Sequence, residues 1–104
     1  MRRATNGAAD VTARESLLRD YRAAFLRYLS RHEESALDTG YQLGRGALAG
    51  GRSLLEVVRV HHEVLTEVLQ DCPGDELPLI ARSASDFLVE VLASYDMARR
   101  GPAS

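Results

Sequence analysis

The sequence predicts an all-α domain of four antiparallel helices, and three observations lead there. Apolar residues recur at steps of three and four in four separate stretches, the spacing that gathers them on one side of a helix. Breakers part the later stretches: Gly50-Gly51, then Pro73-Gly74, then Gly101-Pro102. A chain of 104 residues with 45% apolar content has the material for one modest helical core and not for two.

The opening MRRATNGAADVTA is small, polar and aperiodic, so residues 1–13 are expected to be a flexible leader. From Thr12 to Ser30, Leu17, Leu18, Tyr21, Phe25, Tyr28 and Leu29 share one helical face, with Thr12 and Glu15 placed as a capping box. From His32 to Gly50, Ala36, Leu37, Leu43, Ala47 and Leu48 draw a weaker stripe interrupted by Gly40, Gly44 and Gly46. Each glycine costs a helix about 1 kcal/mol against alanine. Gly40 and Gly44 lie four apart on one face, which predicts a tight helix crossing; no GxxxxGK[ST] signature surrounds them to make a phosphate loop.

Ser53-Leu-Leu-Glu56 is an S-x-x-E capping box that opens a third helix running to Gln70. Asp71-Cys-Pro-Gly-Asp75 then turns the chain. From Leu77 to Arg100, Ile80, Ala84, Phe87, Leu88, Val91, Leu92 and Tyr95 form the fourth stripe, with Arg99 and Arg100 at the negative end of its dipole. Residues 14–100 are therefore read as one four-helix domain and 101–104 as a tail.

Helix three carries more apolar surface than one core needs. Leu54, Val58, His61, Leu65 and Val68 form one stripe, and Val57, Val60 and Val64 broaden it well past the usual arc. The expectation is a homodimer with helix three at the interface, in which Val57, Val60 and Val64 meet a second copy. The simpler arrangement places helix three at the centre of the bundle.

Composition removes several classes of function. A net charge of -2 lacks the basic footprint of a nucleic-acid binder. All 13 positive side chains are arginine, so Schiff-base lysine chemistry is absent. Cys72 is alone, which precludes an intramolecular disulfide or a cysteine zinc site and suits a cytoplasmic address. No stretch approaches the roughly 20 apolar residues that cross a bilayer.

Two segments carry a family resemblance: VVRVHHEVLTEVL at 57–69 and DFLVEVLASYDMA at 86–98. They resemble the third and fourth helices of the N-terminal domain of RsbU-type phosphoserine phosphatases, with weaker similarity through YRAAFLRYLSRHEESALDTGYQLGR. The resemblance implies a non-catalytic, dimeric four-helix domain, with no cofactor, in a partner-switching stress or sigma-factor pathway. It implies binding of an RsbT-type switch kinase to control a phosphatase. The 104 residues leave no room for the carboxylate-bound metal centre of such phosphatases, so the resemblance transfers binding and not catalysis. It places the partner on helices two and four, where Val89, Glu90, Tyr95 and Met97 match the fourth-helix motif and Arg45 matches on helix two. Asp38 stands where the family pattern has an aromatic, which opens the partner's identity. Val89, Glu90, Asp38 and Arg45 are the candidate contacts; Tyr95 and Met97 equally fit the core.

The chemical alternatives are weaker. His61 and His62 diverge by about 100° on a helix and cannot chelate one ion from it. The H-E-x-x-H pattern fails at Thr66. His62-Glu63 superficially resembles the start of a kinase H-box, so a histidine phosphotransfer module is a second reading, although the lysine and glycine typical of such modules are missing. A purely structural dimeric scaffold is a third. For His61 the sequence predicts a buried, hydrogen-bonded imidazole, and for His62 a solvated one.

Overall fold

The computed structural model describes the backbone of residues 2–100 and the side chains of residues 11–98. Four helices follow one another: α1 at Arg2–Arg31, α2 at Glu34–Ala49, α3 at Leu54–Gln70 and α4 at Leu77–Arg100, with a short 3-10 turn at Gly74–Glu76 before the last. No strand occurs among the described residues. The fourth helix spans the residues its stripe predicts.

The start of α1 corrects the sequence reading. The helix begins at Arg2, so residues 2–13 continue it, and Thr12 and Glu15 lie within it rather than at its cap. Alanines at 4, 8, 9 and 13 and the lack of proline allow this, because a helix already nucleated extends at little cost. The dipole role expected of the Arg99 and Arg100 side chains, and the tail from Gly101, fall outside the described residues.

The joints follow local chemistry. His32 adopts a left-handed φ of 53° and ends α1, its N–H donating to the Tyr28 carbonyl at 2.7 Å. Gly51, at φ 80°, turns the chain from α2 toward α3. Ser53 then caps α3, its hydroxyl accepting the Glu56 backbone N–H at 3.1 Å. Only this half of the capping box forms. The Glu56 carboxylate turns instead to the Arg52 guanidinium at 3.0 Å, a charge-assisted partner stronger than a neutral backbone N–H.

Phe87 of α4 sits at the centre of the core. Tyr21, Phe25 and Tyr28 of α1 surround its ring, with centroids 5.2, 5.5 and 6.1 Å away. On the far side α2 passes over it through glycine: a Cβ on Gly40 would lie 3.0 Å from Phe87 Cε1. One turn further, a Cβ on Gly44 would collide with the Val91 carbonyl and stand 2.7 Å from Ser94 Oγ. The two glycines that weaken α2 are therefore what lets it press against the α4 backbone, as their spacing predicts. Gly46 has no such neighbour; a Cβ there would meet nothing within 4 Å.

Helix three reverses the expected assignment of its two stripes. Val57, Val60 and Val64 are 0%, 3% and 0% exposed in the single chain, so they form its core and leave no surface for a second copy. His61 is buried beside them, while Leu54 is 48% exposed and Val58 and Leu65 are only half-buried. At about 100° per residue, apolar groups cover roughly 220° of this helix, and the bundle draws in the valine half. Leu54, Val58, Leu65 and Leu69 remain along its outer edge.

Candidate functional site

The crossing of α2 over α4 decides which residues face out. Ala84, Phe87, Val91 and Ser94 are turned inward beneath Gly40 and Gly44, and this rotation directs Val89 to the opposite side. Val89 is 64% exposed, more than any other large apolar side chain described on the two helices. Glu90, its neighbour, is half-buried at the junction with α2.

Glu90 lines a groove of about 440 Å³ with Glu34, Ser35, Leu37 and Asp38 of α2. The structure thus brings Asp38 and Glu90 into one depression, which Val89, turned away from α2, does not line. Arg45 is exposed and outside the groove, seven residues beyond Asp38 and so two turns, roughly 10 Å, along the same face of α2. Among the described residues, the carboxylates of Glu34, Asp38 and Glu90 make no hydrogen bond or ion pair. Other acids are engaged: Glu67 holds Arg22 through two contacts at 2.8 and 2.9 Å, and Glu33 takes the Ser35 hydroxyl.

Tyr95 and Met97 separate. Tyr95 packs half-buried on the core and its hydroxyl donates to the Arg52 carbonyl at 3.0 Å, tying α4 to the loop between α2 and α3. Met97 is 59% exposed and takes no part in the core. Sequence reasoning missed Glu34 and Leu37, although their positions four and one before Asp38 were signal enough to place Glu34 on its face. It also missed the outer edge of α3, for which periodicity offers no means of telling inside from outside.

The groups that invited a chemical reading are otherwise occupied. Tyr21 Oη and His61 Nδ1 lie 2.7 Å apart inside the core, and the Phe25 ring meets the imidazole at a centroid distance of 6.3 Å. Burial pushes the Tyr21 hydroxyl far above its ordinary range and pulls His61 below its own, with His62 adding to the latter. The pair is therefore one hydrogen bond between two neutral groups, as a buried imidazole requires, and His61 offers no face to a phosphoryl donor. His62 is exposed, as its position predicts. The Cys72 thiol is held above its ordinary value by desolvation and by Glu76 and Asp75, the opposite of an activated nucleophile. Among the described residues no three His, Cys, Asp or Glu side chains converge to hold a metal ion, and no helix is long and apolar enough to cross a membrane.

Comparison with known proteins agrees with this picture at the level of family. Neither the curated proteins nor the solved structures include a match to the chain. The family model of the phosphoserine phosphatase RsbU N-terminal domain matches residues 19–98, which takes in α2, α3, nearly all of α4 and the core half of α1. That domain is the regulatory part of the phosphatase and not its catalytic one. With a family match over most of its length, this all-helical bundle belongs to the RsbU N-terminal family of partner-switching regulatory domains.

Proposed function

We propose that this domain binds an RsbT-type switch kinase through the surface formed by α2 and α4, and that binding controls a phosphatase. The observation that carries the reading is Val89: a large apolar side chain held in solvent on α4, next in sequence to the Glu90 that shares a groove with Asp38 of α2. An exposed aliphatic group ringed by polar ones is the form of a protein-binding anchor. Arg45, two turns along α2, completes the contact.

The domain works as a homodimer in this reading, with its sequential helices antiparallel and α3 at the interface. The outer edge of α3 supplies the apolar seam, Leu54, Val58, Leu65 and Leu69, in place of the buried valines. These four lie within about 60° of arc, the narrow stripe that pairs helix to helix. The setting is cytoplasmic, with neither nucleic acid nor membrane as partner.

Size-exclusion chromatography with light scattering tests both parts. The protein alone should elute with twice the mass of one chain, and addition of a switch kinase from the same genome should shift it to a larger complex. Leu69→Asp, at a seam position outside the core, should halve the mass of the free protein, since an unpaired charge in an apolar seam is costly. A monomeric wild type contradicts the dimer, and indifference to every such kinase contradicts the partner.

A further inference from the structure

We infer that a second copy lies antiparallel along α3 about a two-fold axis between His61 and His62, so that the His62 side chains of the two copies face each other beside the apolar seam and acid drives the copies apart. The inference rests on the homodimer reading and adds to it the register of the contact and a means of control.

The seam reads the same from either end. Leu54 and Leu69 lie equally far from the point midway between His61 and His62, and so do Val58 and Leu65. A two-fold contact is self-complementary, residue i of one copy meeting j of the other while j meets i. Laid antiparallel, α3 therefore sets Leu54 on the second copy's Leu69 and Val58 on its Leu65. All four seam residues are used, and because α3 runs from Leu54 to Gln70 the two helices overlap along their whole length. Antiparallel order also lays opposite ends of the two helix dipoles together, where parallel order would lay like ends together.

This register fixes where His62 goes. It is exposed and stands about 50° off the middle of the seam, on the side away from the core. Two-fold symmetry about an axis half a residue away puts the second copy's His62 on the same rim. With the helix axes about 8–10 Å apart, the two Cβ atoms come within roughly 5 to 6 Å, near enough for the rings to touch.

Histidine is the side chain that ordinarily changes charge between about pH 5 and 8. As neutral rings the pair is compatible with the contact; as two cations it repels at short range. Arg59, one turn before His62, is exposed and makes no ion pair among the described residues, and each copy brings one to this rim. Glu63 points about 150° from the seam, toward Arg22 of α1, whose guanidinium is held by Glu67. Thr66 reaches only the His62 carbonyl. Separated copies thus take up these protons more readily than paired ones, so association is tightest above the imidazole range and weakens as pH falls through it.

Sedimentation and light scattering of the full chain at pH 7.5 and at pH 5.5, beside His62→Gln, test the control, with helical circular dichroism followed at each pH. The wild-type dissociation constant should rise about tenfold or more toward acid while the helical signal holds, and His62→Gln should keep one constant throughout. In solutions dilute enough to hold single chains the pair is gone, and only the buried His61 responds to acid. A wild-type dimer equally tight at both values, or a rise that His62→Gln shares, overturns the inference and leaves the homodimer reading intact. A chain that is monomeric throughout removes both.

Cross-linking tests the register. In a Cys72→Ser background, His62→Cys should join two copies by a disulfide on mild oxidation. Leu54→Cys should not, because antiparallel order holds its counterpart roughly 22 Å away. A disulfide through Leu54→Cys, or none through His62→Cys in a chain that is still dimeric, contradicts the pairing.

Discussion

Between α2 and α4 the backbones meet because side chains are missing; between α1 and α3 the space is filled, by Tyr21, Phe25, the valines at 57, 60 and 64, and the buried imidazole of His61. The first contact is intolerant of added atoms and the second of lost ones. The difference also divides the labour of the molecule. The filled contact supplies burial, and the bare one sets the rotation of α4 and with it the direction in which Val89 points.

The largest effect is expected where an atom is added to the bare contact. Gly44→Leu would drive its side chain into the Val91 carbonyl, which cannot withdraw without breaking α4, and should cost about 3 kcal/mol or more in urea unfolding. A loss under 1 kcal/mol would mean that the helices part easily. On the filled side, Val64→Ala removes two methyl groups from a site with no exposure and should cost about 2 kcal/mol by the same measurement.

The buried imidazole adds a dependence on pH. His61 is held below its ordinary value of 6.5, chiefly by burial and then by His62, so the unfolded chain takes up this proton first as pH falls. Stability from the neutral Tyr21–His61 pair is thus complete above the ordinary value and is lost as pH drops through the folded one. The urea midpoint should fall between about pH 7.5 and about pH 5.5, and a His61→Phe variant should lose that slope. Glu67, held below its ordinary 4.5 by Arg22, loses its contribution only in more acid solution and does not confuse this window.

The smallest stability effect sharpens the comparison by its opposite sign. Gly46 lies in the same helix as Gly44 but faces open space, so Gly46→Ala should stabilise by about 1 kcal/mol in thermal or urea unfolding. A destabilised Gly46→Ala would show that α2 needs flexibility there and not merely room.

Much of this was legible in the sequence where one residue type dictates local geometry. The Ser53 cap, the Gly40 and Gly44 crossing, the limits of α4 and the burial of His61 each follow from a short pattern whose physics is local. What periodicity could not supply is orientation. Apolar residues run so far around α3 that the valine and leucine halves are equivalent until three other helices are packed against one of them, and the dimer contacts expected at Val57, Val60 and Val64 proved to be core for that reason. The pairing of Tyr21 with His61, 40 residues apart, and the meeting of Glu34 and Asp38 with Glu90 are products of assembly and leave no trace in spacing. The start of α1 was misplaced because a weakly polar, alanine-containing stretch has no amphipathic stripe yet extends a helix readily.

The central claim is that the α2–α4 surface is a binding face and no part of the core, and Val89→Asp tests it most directly. A side chain this exposed should bear a charge with a change in stability of under about 0.5 kcal/mol. Calorimetric titration of Val89→Asp with the switch kinase that binds the wild type should then show an intact, helical protein of unchanged mass and no measurable complex. Binding of the kinase at the wild-type affinity would contradict the account.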